Sequence, residues 1–316
     1  MSMDFCNSCG ILLNPANGKC ECKACYHSKI LGLGGPDIDC ICDYCCADAG
    51  TVQARHVADK WKDSQVDNVI RVKWEIAQAE MKKRLITEDD DVITKIKQAY
   101  NKENSHETYY IGGVDISFIK GDNLNACAAF VVVTFPQMEI VYEDYQMVKL
   151  TAPYIPGFLA FREADFIIQQ YEKLKAVQPQ YAPHVIFVDG NGILHPRGFG
   201  LASQLGVLLN VPCVGVAKTL IHVDGLENDD THKGRKDILQ KGGDTFPLQD
   251  SSGMVLGMAL RSCDSTKNPI YVSVGHKISL ESATWLVHKC CRYRIPEPTR
   301  QADLNSREYL RKNGYL

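Results

Sequence analysis

Three carboxylic acids lie in contexts that point to chemistry. Asp115 lies inside an apolar, strand-like stretch, where an unpaired charge costs several kcal/mol as an order of magnitude. Asp189 ends a buried strand, the end where open α/β sheets bind ligands, and Glu163 lies one turn into a helical stretch. Mg²⁺ or Mn²⁺ would neutralise such a cluster and prefer its oxygens. Taken singly, Asp115 also fits an ion pair with a buried lysine, and Glu163 fits an ordinary first-turn helix carboxylate.

The N-terminal segment is dominated by cysteine. Nine of the 14 cysteines lie between Cys6 and Cys46. Three C-x-x-C pairs each place two thiolates within reach of one ion, and two such pairs complete a tetrahedral zinc site. Because the segment is poor in large apolar residues, metal binding would supply much of its folding free energy. We therefore expect a structural Zn²⁺ site among Cys6, Cys9, Cys22, Cys25, Cys42 and Cys45.

The competing interpretation of this segment is a disulfide knot, which requires an oxidising compartment. The first residues, MSMDFCNSCG, contain neither a basic stretch nor an apolar core, so we expect no signal peptide. We accordingly expect a cytoplasmic or nuclear protein. A second zinc ion remains open, and the residues that could complete its site are Cys20, Cys40, His27 and His56.

Composition and charge narrow the class of protein. The chain has 316 residues, of which 45% are hydrophobic and 23% charged, which are globular values that exclude disorder as the main state. The longest unbroken apolar run, 126–133, is far shorter than the roughly 20 residues of a membrane-spanning helix, so no membrane segment is expected. The net charge of −3 argues against non-specific coating of nucleic acid but allows an enzyme with a local basic groove.

The elements that must position the carboxylates follow from periodicity. Residues 1–50 form the Cys-rich module, 51–105 are predicted to form a helical connector, and 106–316 a catalytic domain. Within that last part, strands are predicted at 110–119, 126–135, 139–150, 184–189, 213–217, 255–262 and 270–274, and helices at 158–177, 199–209 and from 280. This order predicts an α/β fold, a mixed sheet flanked by helices that opens with an antiparallel meander.

Seven motifs follow one another along this domain: GGVDIS at 112–117, LTAPYIPGFLAFRE at 150–163, VDGNGILHPRGFG at 188–200, GVAKT at 215–219, HVDGLEN at 222–228, VSVGHKISLE at 272–281 and RIPEPTRQAD at 294–303. In this order they closely resemble the endonuclease V family, its eukaryotic branch in particular. The resemblance implies a ribonuclease-H-like fold and a metal-dependent endonuclease that uses Mg²⁺, with Mn²⁺ as a substitute. It implies cleavage one nucleotide 3′ of inosine, in RNA or in DNA with deoxyinosine, leaving a 3′-hydroxyl and a 5′-phosphate.

The resemblance also implies catalytic roles, one residue at a time. Asp115 and Asp189 match the aspartates that hold the metal, and Glu163 matches the third acidic metal ligand. Asp303 matches a further acidic residue of the family. Lys218 matches the lysine near the scissile phosphate, although a surface lysine is the plain alternative. His276 matches a family histidine, for which a structural role is also open.

Two loops match the parts of the family that handle the base. The wedge that fills the space of the extruded base is implied for Pro153, Tyr154, Ile155 and Pro156. The pocket that holds the flipped base is implied for Gly190, Asn191, Gly192, Ile193, Leu194 and His195. A tight backbone at the two pocket glycines would exclude the exocyclic amine of guanine, a hypothesis to be probed with Gly192→Ala.

The Cys-rich extension departs from the common family pattern. It could grip nucleic acid, mediate oligomerisation, bind a protein partner, or only fold the N-terminus. A rival function is a non-cleaving inosine-RNA binding protein that uses this module and the nuclease fold for recognition. The four acidic positions argue against that rival, since a catalytically inactive relative would normally lack at least one of them.

Overall fold

The computed structural model describes residues 68–103 and 106–315. The nine N-terminal cysteines, and with them the predicted zinc site and the boundary at residue 50, lie outside the described residues. The chain divides into two units at Lys73 and Trp74, and the account below concerns the second unit. None of the described helices is both long and apolar enough to cross a membrane.

One mixed sheet of eight strands organises this unit. In chain order its strands are β1 (Tyr109–Phe118), β2 (Asn125–Phe135), β3 (Ile140–Lys149), β4 (Val185–Asp189), β5 (Cys213–Ala217), β6 (Thr245–Gln249), β7 (Val255–Leu260) and β8 (Ile270–His276). They lie in the spatial order β3-β2-β1-β4-β5-β8-β7-β6. The pairs β1–β4 and β4–β5 are parallel and the others antiparallel. The predicted fold class and the opening meander are confirmed.

Helices cover both faces of the sheet. They are α1 (Asp91–Asn101), α2 (Ala160–Val177), α3 (Leu201–Leu209), α4 (Asp230–Ile238), α5 (Leu280–Lys289) and α6 (Glu297–Lys312). One face forms a core with α2 and α3, and the opposite face forms a core with α1, α5 and α6. Ile93 and Ile96 of α1 are both in that second core, so the C-terminal part of the predicted connector packs directly on the sheet.

Three elements were not predicted from the pattern of residues. Strand β6 contains Pro247, which cannot donate to a ladder, but β6 is the last strand of the sheet and an edge tolerates that loss. Helix α4 buries only His232, so it has no apolar stripe to reveal it. Helix α6 is highly polar, and the residues that it buries are mostly small or polar, so it has no continuous apolar stripe.

A glycine in β1 decides how closely α6 approaches the sheet. A Cβ on Gly113 would lie 2.0 Å from the carbonyl carbon of Pro298 in the first turn of α6. No side chain fits into that space, so glycine allows the backbones of helix and strand to touch. The close approach brings the middle of α6 beside the C-terminal half of β1.

Candidate active site

The register of the parallel strands assembles the predicted carboxylates at one edge. Val114 pairs with Val188, so Asp115 and Asp189 follow side by side at the C-terminal ends of β1 and β4. Asp189 pairs with Val216 of β5, which places Lys218 just beyond the same edge. Because side chains alternate between the two faces along a strand, the side chains of Asp115, Asp189 and Lys218 all lie on the face that carries α6.

Lys218 forms ion pairs with two carboxylates of the site. Its Nζ lies 2.6 Å from Asp189 Oδ2 and 3.5 Å from Asp303 Oδ2. Asp303 comes from α6, where Arg307 Nη2 also lies 2.7 Å from its Oδ1. The C-terminal helix therefore contributes a charged side chain to a site whose other members lie on strands.

Glu163 enters the same site from the other face. It lies in the first turn of α2, and Ala160, Glu163, Ala164 and Ile167 form the buried stripe of that helix. Only 4% of the residue is exposed, and its Oε1 has no hydrogen-bond partner among the described residues. A carboxylate in that position costs free energy unless a cation or a proton neutralises it. This burial argues against the interpretation of an ordinary first-turn carboxylate.

Burial and mutual repulsion raise the pKa values of the two innermost acids. Burial, followed by repulsion from Asp189 and Asp303, raises the pKa of Asp115 to about 7, against the opposing effects of Ser117 and Lys218. Burial, followed by the charge of Asp115, raises the pKa of Glu163 to about 8. Such values indicate that the positive charge at the site does not offset the burial and mutual repulsion of its carboxylates.

Lys218 experiences the opposite balance. Burial acts to lower its pKa, but the charges of Asp189, Asp303 and Asp115 and the hydrogen bond to Asp189 outweigh burial and raise it. The lysine is therefore a permanent positive charge at neutral pH. One ammonium group does not balance four carboxylates.

The donor set suits a hard divalent cation. Asp115, Asp189 and Glu163 offer carboxylate oxygens, the ligands that Mg²⁺ and Mn²⁺ prefer, and Glu163 Oε1 is an orphaned buried acceptor. Among the described residues no three His, Cys, Asp or Glu side chains already form a closed metal-binding group. Because a cation would relieve the repulsion that raises both pKa values, the residues fit the group that the sequence implies.

His276 does not join this site. It pairs with Cys213 at the beginning of β5, whereas Lys218 follows the end of that strand, five residues further along, so about 16 Å separates the two levels. The ring is buried, and its Nδ1 accepts the N–H of Ile86 at 3.2 Å. Burial, then Lys277, lowers its pKa to about 4. The prediction that His276 is catalytic is corrected: the neutral ring holds the loop around residue 86.

The predicted wedge is a surface loop that ends at α2. Tyr154 is 67% exposed and is flanked by two prolines, which restrict the backbone. A large aromatic side chain held outside the core in this way is available to stack on a base.

The predicted pocket loop follows β4 and is held against β8. Gly192 donates its N–H to Ser273 Oγ at 2.9 Å, and Ile193 donates to the carbonyl of Val274 at 2.8 Å. Asn191 Oδ1 is buried and has no partner among the described residues. The structure places Leu194 in the core and buries His195, whose pKa burial lowers to about 4.

The pocket hypothesis needs a different test. A Cβ on Gly192 would lie 1.9 Å from the carbonyl oxygen of Val274. Gly192→Ala would therefore displace β8 whatever it did to a bound base. Asn191 is the better probe, since its buried Oδ1 has no partner among the described residues.

Comparison with known proteins decides the family. The family model for endonuclease V matches residues 92–304. Endonuclease V of Mus musculus is 53% identical over 240 residues, which are 76% of this chain and 69% of the mouse protein. The chain belongs to the endonuclease V family. The predicted family and the prediction of a nuclease are confirmed.

Solved structures of endonuclease V agree with this fold. The crystal structure of the human protein has a TM-score of 0.72 and 49% identity, covering 77% of this chain and 99% of the human chain. The Ciona intestinalis endonuclease V, in complex with a 24mer DNA that contains an inosine followed by a ribo-adenosine, has a TM-score of 0.67 and 36% identity. That alignment covers 76% of this chain and 98% of the Ciona chain.

Several residues of this endonuclease V site were not singled out from the sequence. Ser117 Oγ donates to Asp115 Oδ2 at 3.0 Å and lies 2.7 Å from Ser306 Oγ of α6. Arg307 pairs with Asp303 one helical turn away. For Ser117 the i, i+2 spacing from Asp115 on one strand face was a usable signal. Nothing in the sequence indicated Ser306, because its contact depends on how α6 packs.

Proposed function

We propose that this endonuclease V cleaves the phosphodiester bond one nucleotide 3′ of inosine, in RNA first and also in DNA with deoxyinosine. The products would be a 3′-hydroxyl and a 5′-phosphate, and Mg²⁺ would be the cofactor, with Mn²⁺ able to substitute. The observation that carries the proposal is the convergence of Asp115, Asp189 and Asp303 on Lys218, with buried Glu163 close enough to Asp115 to be repelled by it. Such a cluster is costly and is retained where it does chemistry.

The residues that would hold the cation are Asp115 and Asp189, with Glu163 as the third carboxylate. A divalent cation there would lower the pKa of the attacking water and would supply positive charge for the phosphoryl oxygens. The carboxylates must be ionised for this role, so their raised pKa values describe the protein without the ion. Ser117 keeps Asp115 oriented through its hydroxyl, which in turn contacts Ser306.

Lys218 would face the scissile phosphate. Its ammonium group is held by Asp189 and Asp303 at the end of β5, beside the metal ligands. A compact point charge at this position stabilises the negative charge that develops on the phosphoryl oxygens. Arg307, paired with Asp303, adds positive charge on the α6 side.

Recognition of inosine would use the two loops described above. Extrusion of a base from a duplex costs a few kcal/mol, and one base–aromatic stack returns roughly 1–3 kcal/mol. Exposed Tyr154 would take the place of the extruded base. The Gly190–His195 loop would hold hypoxanthine, with the unpartnered Asn191 Oδ1 as an acceptor for its ring N–H.

The Ciona complex supports this proposal through its nucleic acid. Its DNA carries an inosine followed by a ribo-adenosine, so that relative accepts a ribose on the 3′ side of the lesion. A ribose at that position is the feature that an RNA substrate shares with that DNA. We therefore rank RNA first.

The test is cleavage of matched RNA and DNA oligonucleotides, each with and without a single inosine. Each would be incubated with Mg²⁺, with Mn²⁺ and with EDTA, and with Asp115→Ala as the inactive control. We expect metal-dependent cleavage one nucleotide past inosine, faster in RNA and lost in the variant. Tight inosine binding without cleavage under any metal would instead support the non-cleaving reader.

The zinc content and the role of the Cys-rich module are a separate proposal. We propose that its C-x-x-C pairs hold structural zinc and that the module contacts nucleic acid, a protein partner or a second copy of the chain. Thiolate ligands require a reducing location, which also supports a cytoplasmic or nuclear protein. Zinc analysis of the full chain would test this, with an expected content of about one or two ions per chain. A zinc-free chain with intact disulfides would contradict it.

A further inference from the structure

Arg197 connects the two loops that the proposed function assigns to the base. Arg197 lies in the loop that follows the pocket residues, and its Nη2 donates to the carbonyl oxygen of Gly157 at the end of the wedge. Its guanidinium also stacks on Phe158, 3.8 Å from the ring centroid. The ring of His195 also makes a hydrogen bond with the backbone of Gly157, so the wedge and the pocket are joined by side chains rather than held independently.

Gln78 completes the connection from outside both loops. Its Oε1 accepts from Arg197 Nε, and its Nε2 donates to the carbonyl oxygen of Phe199 at 2.7 Å. The side chain is 3% exposed, so both bonds form out of contact with water. A primary amide is the side chain that can accept from the guanidinium and donate to a carbonyl at once.

The helical segment that carries Gln78 is anchored on the same two loops. Lys82, one turn later, donates to the carbonyl oxygen of Arg197 at 2.8 Å. Trp74, one turn earlier, stacks on Phe161 of α2 with the ring centroids 5.1 Å apart. Phe161 lies in the first turn of α2, the helix that follows the wedge. The segment around residue 78 therefore spans both loops.

We propose that Gln78 is a positioning residue, which holds Arg197 so that the wedge and the pocket keep the separation needed for an extruded base. It touches neither the base nor the reacting phosphate, and it acts through Arg197. The inference rests on the proposed function, because it requires that these loops extrude and bind inosine. It adds a residue that lies before the region matched by the family model.

The physical reason lies in the cost of base extrusion. Extrusion from a duplex is expensive, but a single strand has little or no stacking and pairing to lose. If the two loops already have the correct separation, their contacts with the extruded base offset the cost of extrusion, and no free energy is lost in ordering the loops on binding. Loss of Gln78 should therefore harm cleavage of duplex inosine more than cleavage of single-stranded inosine. General damage to the fold would harm both equally.

The experiment compares the full-length protein with Gln78→Ala and Gln78→Glu. The matched control is Gln98→Ala, since Gln98 is an exposed glutamine of α1. We expect the ratio of kcat/KM on duplex to kcat/KM on single-stranded inosine DNA to fall about tenfold in Gln78→Ala. Gln78→Glu keeps the acceptor for Arg197 but loses the donor to Phe199, so it should also lower the ratio. Gln98→Ala should leave the ratio unchanged.

A second readout follows extrusion directly. A 2-aminopurine placed beside inosine in the duplex becomes more fluorescent when its neighbour leaves the stack, and we expect a smaller increase with Gln78→Ala than with the unmodified protein. Equal losses on both substrates, or an unchanged fluorescence signal, would overturn the inference about Gln78 alone. Failure of the unmodified protein to cleave either inosine substrate would overturn the proposed function, and this inference with it.

Discussion

Asp115→Asn should make the metal-free protein more stable while it abolishes cleavage. The asparagine keeps the size of the side chain and can still accept the hydroxyl of Ser117. It removes a carboxylate that is only 9% exposed and is repelled by Asp189 and Asp303. A residue required for activity is therefore expected to oppose stability, as active-site strain commonly does.

The structure sets the size of this effect. The pKa of Asp115 rises from 3.8 to about 7 on folding, and each pKa unit corresponds to 1.36 kcal/mol. The ionised carboxylate therefore costs the folded protein on the order of 4 kcal/mol at pH values above about 8. Because the folded state binds the proton more tightly than the unfolded state, the wild type loses stability as pH rises between about 4 and 8.

The assay is chemical denaturation of both proteins in EDTA at about pH 4.5 and about pH 8. We expect the stability advantage of Asp115→Asn to grow by roughly 3 kcal/mol between these values. Asp237→Asn, an exposed aspartate in α4, is the control and should show no such growth. An advantage that does not change with pH, or a variant less stable than wild type at pH 8, would refute the reasoning. Added Mg²⁺ should favour the wild type.

Three further substitutions separate the roles of the site. Tyr154→Ala should lower kcat/KM on inosine-containing duplex about tenfold and leave the thermal midpoint unchanged, because the ring is exposed. Tyr154→Phe should keep the wild-type rate, and a slow Tyr154→Phe variant would contradict stacking. Lys218→Met should lower kcat about 100- to 1,000-fold. It should also move the acidic limb of the pH–rate profile to higher pH, because the carboxylate of Asp115 loses a stabilising positive charge, and a limb that stays in place would contradict this interaction between Lys218 and Asp115. His276→Asn should keep kcat within about threefold but lower the thermal midpoint by several degrees. Because the buried ring of wild type resists protonation, the stability of the variant should fall less than that of wild type as pH drops from 6.5 towards 4. A folded variant with a large loss of kcat would restore a catalytic role.

Much of the sheet could be predicted because its signals are local. Strands β2 and β5 are apolar runs, and the observed bounds of the predicted strands differ from the predicted ones by a few residues. Edge strand β6 escaped prediction because it is only five residues long and contains a proline. Helix α4 buries only His232, and the residues that α6 buries are mostly small or polar, so neither helix has a continuous apolar stripe.

The sequence by itself determined the family and the chemical types of the site residues. Seven motifs identified the endonuclease V family, and an aspartate in an apolar strand already indicated a functional carboxylate at Asp115. These conclusions required only the order of residues along the chain. The assignments of the N-terminal cysteines to zinc depend on the same kind of local spacing and stay a prediction.

Only the tertiary structure decided which of those residues meet. Asp303 reaches Lys218 because Gly113 lets α6 touch β1, and Glu163 is buried because of the face that α2 presents. His276 is excluded because β8 runs antiparallel to β5, so that its end lies at the opposite edge. Strand order and direction are set by contacts between distant segments, which no local pattern records.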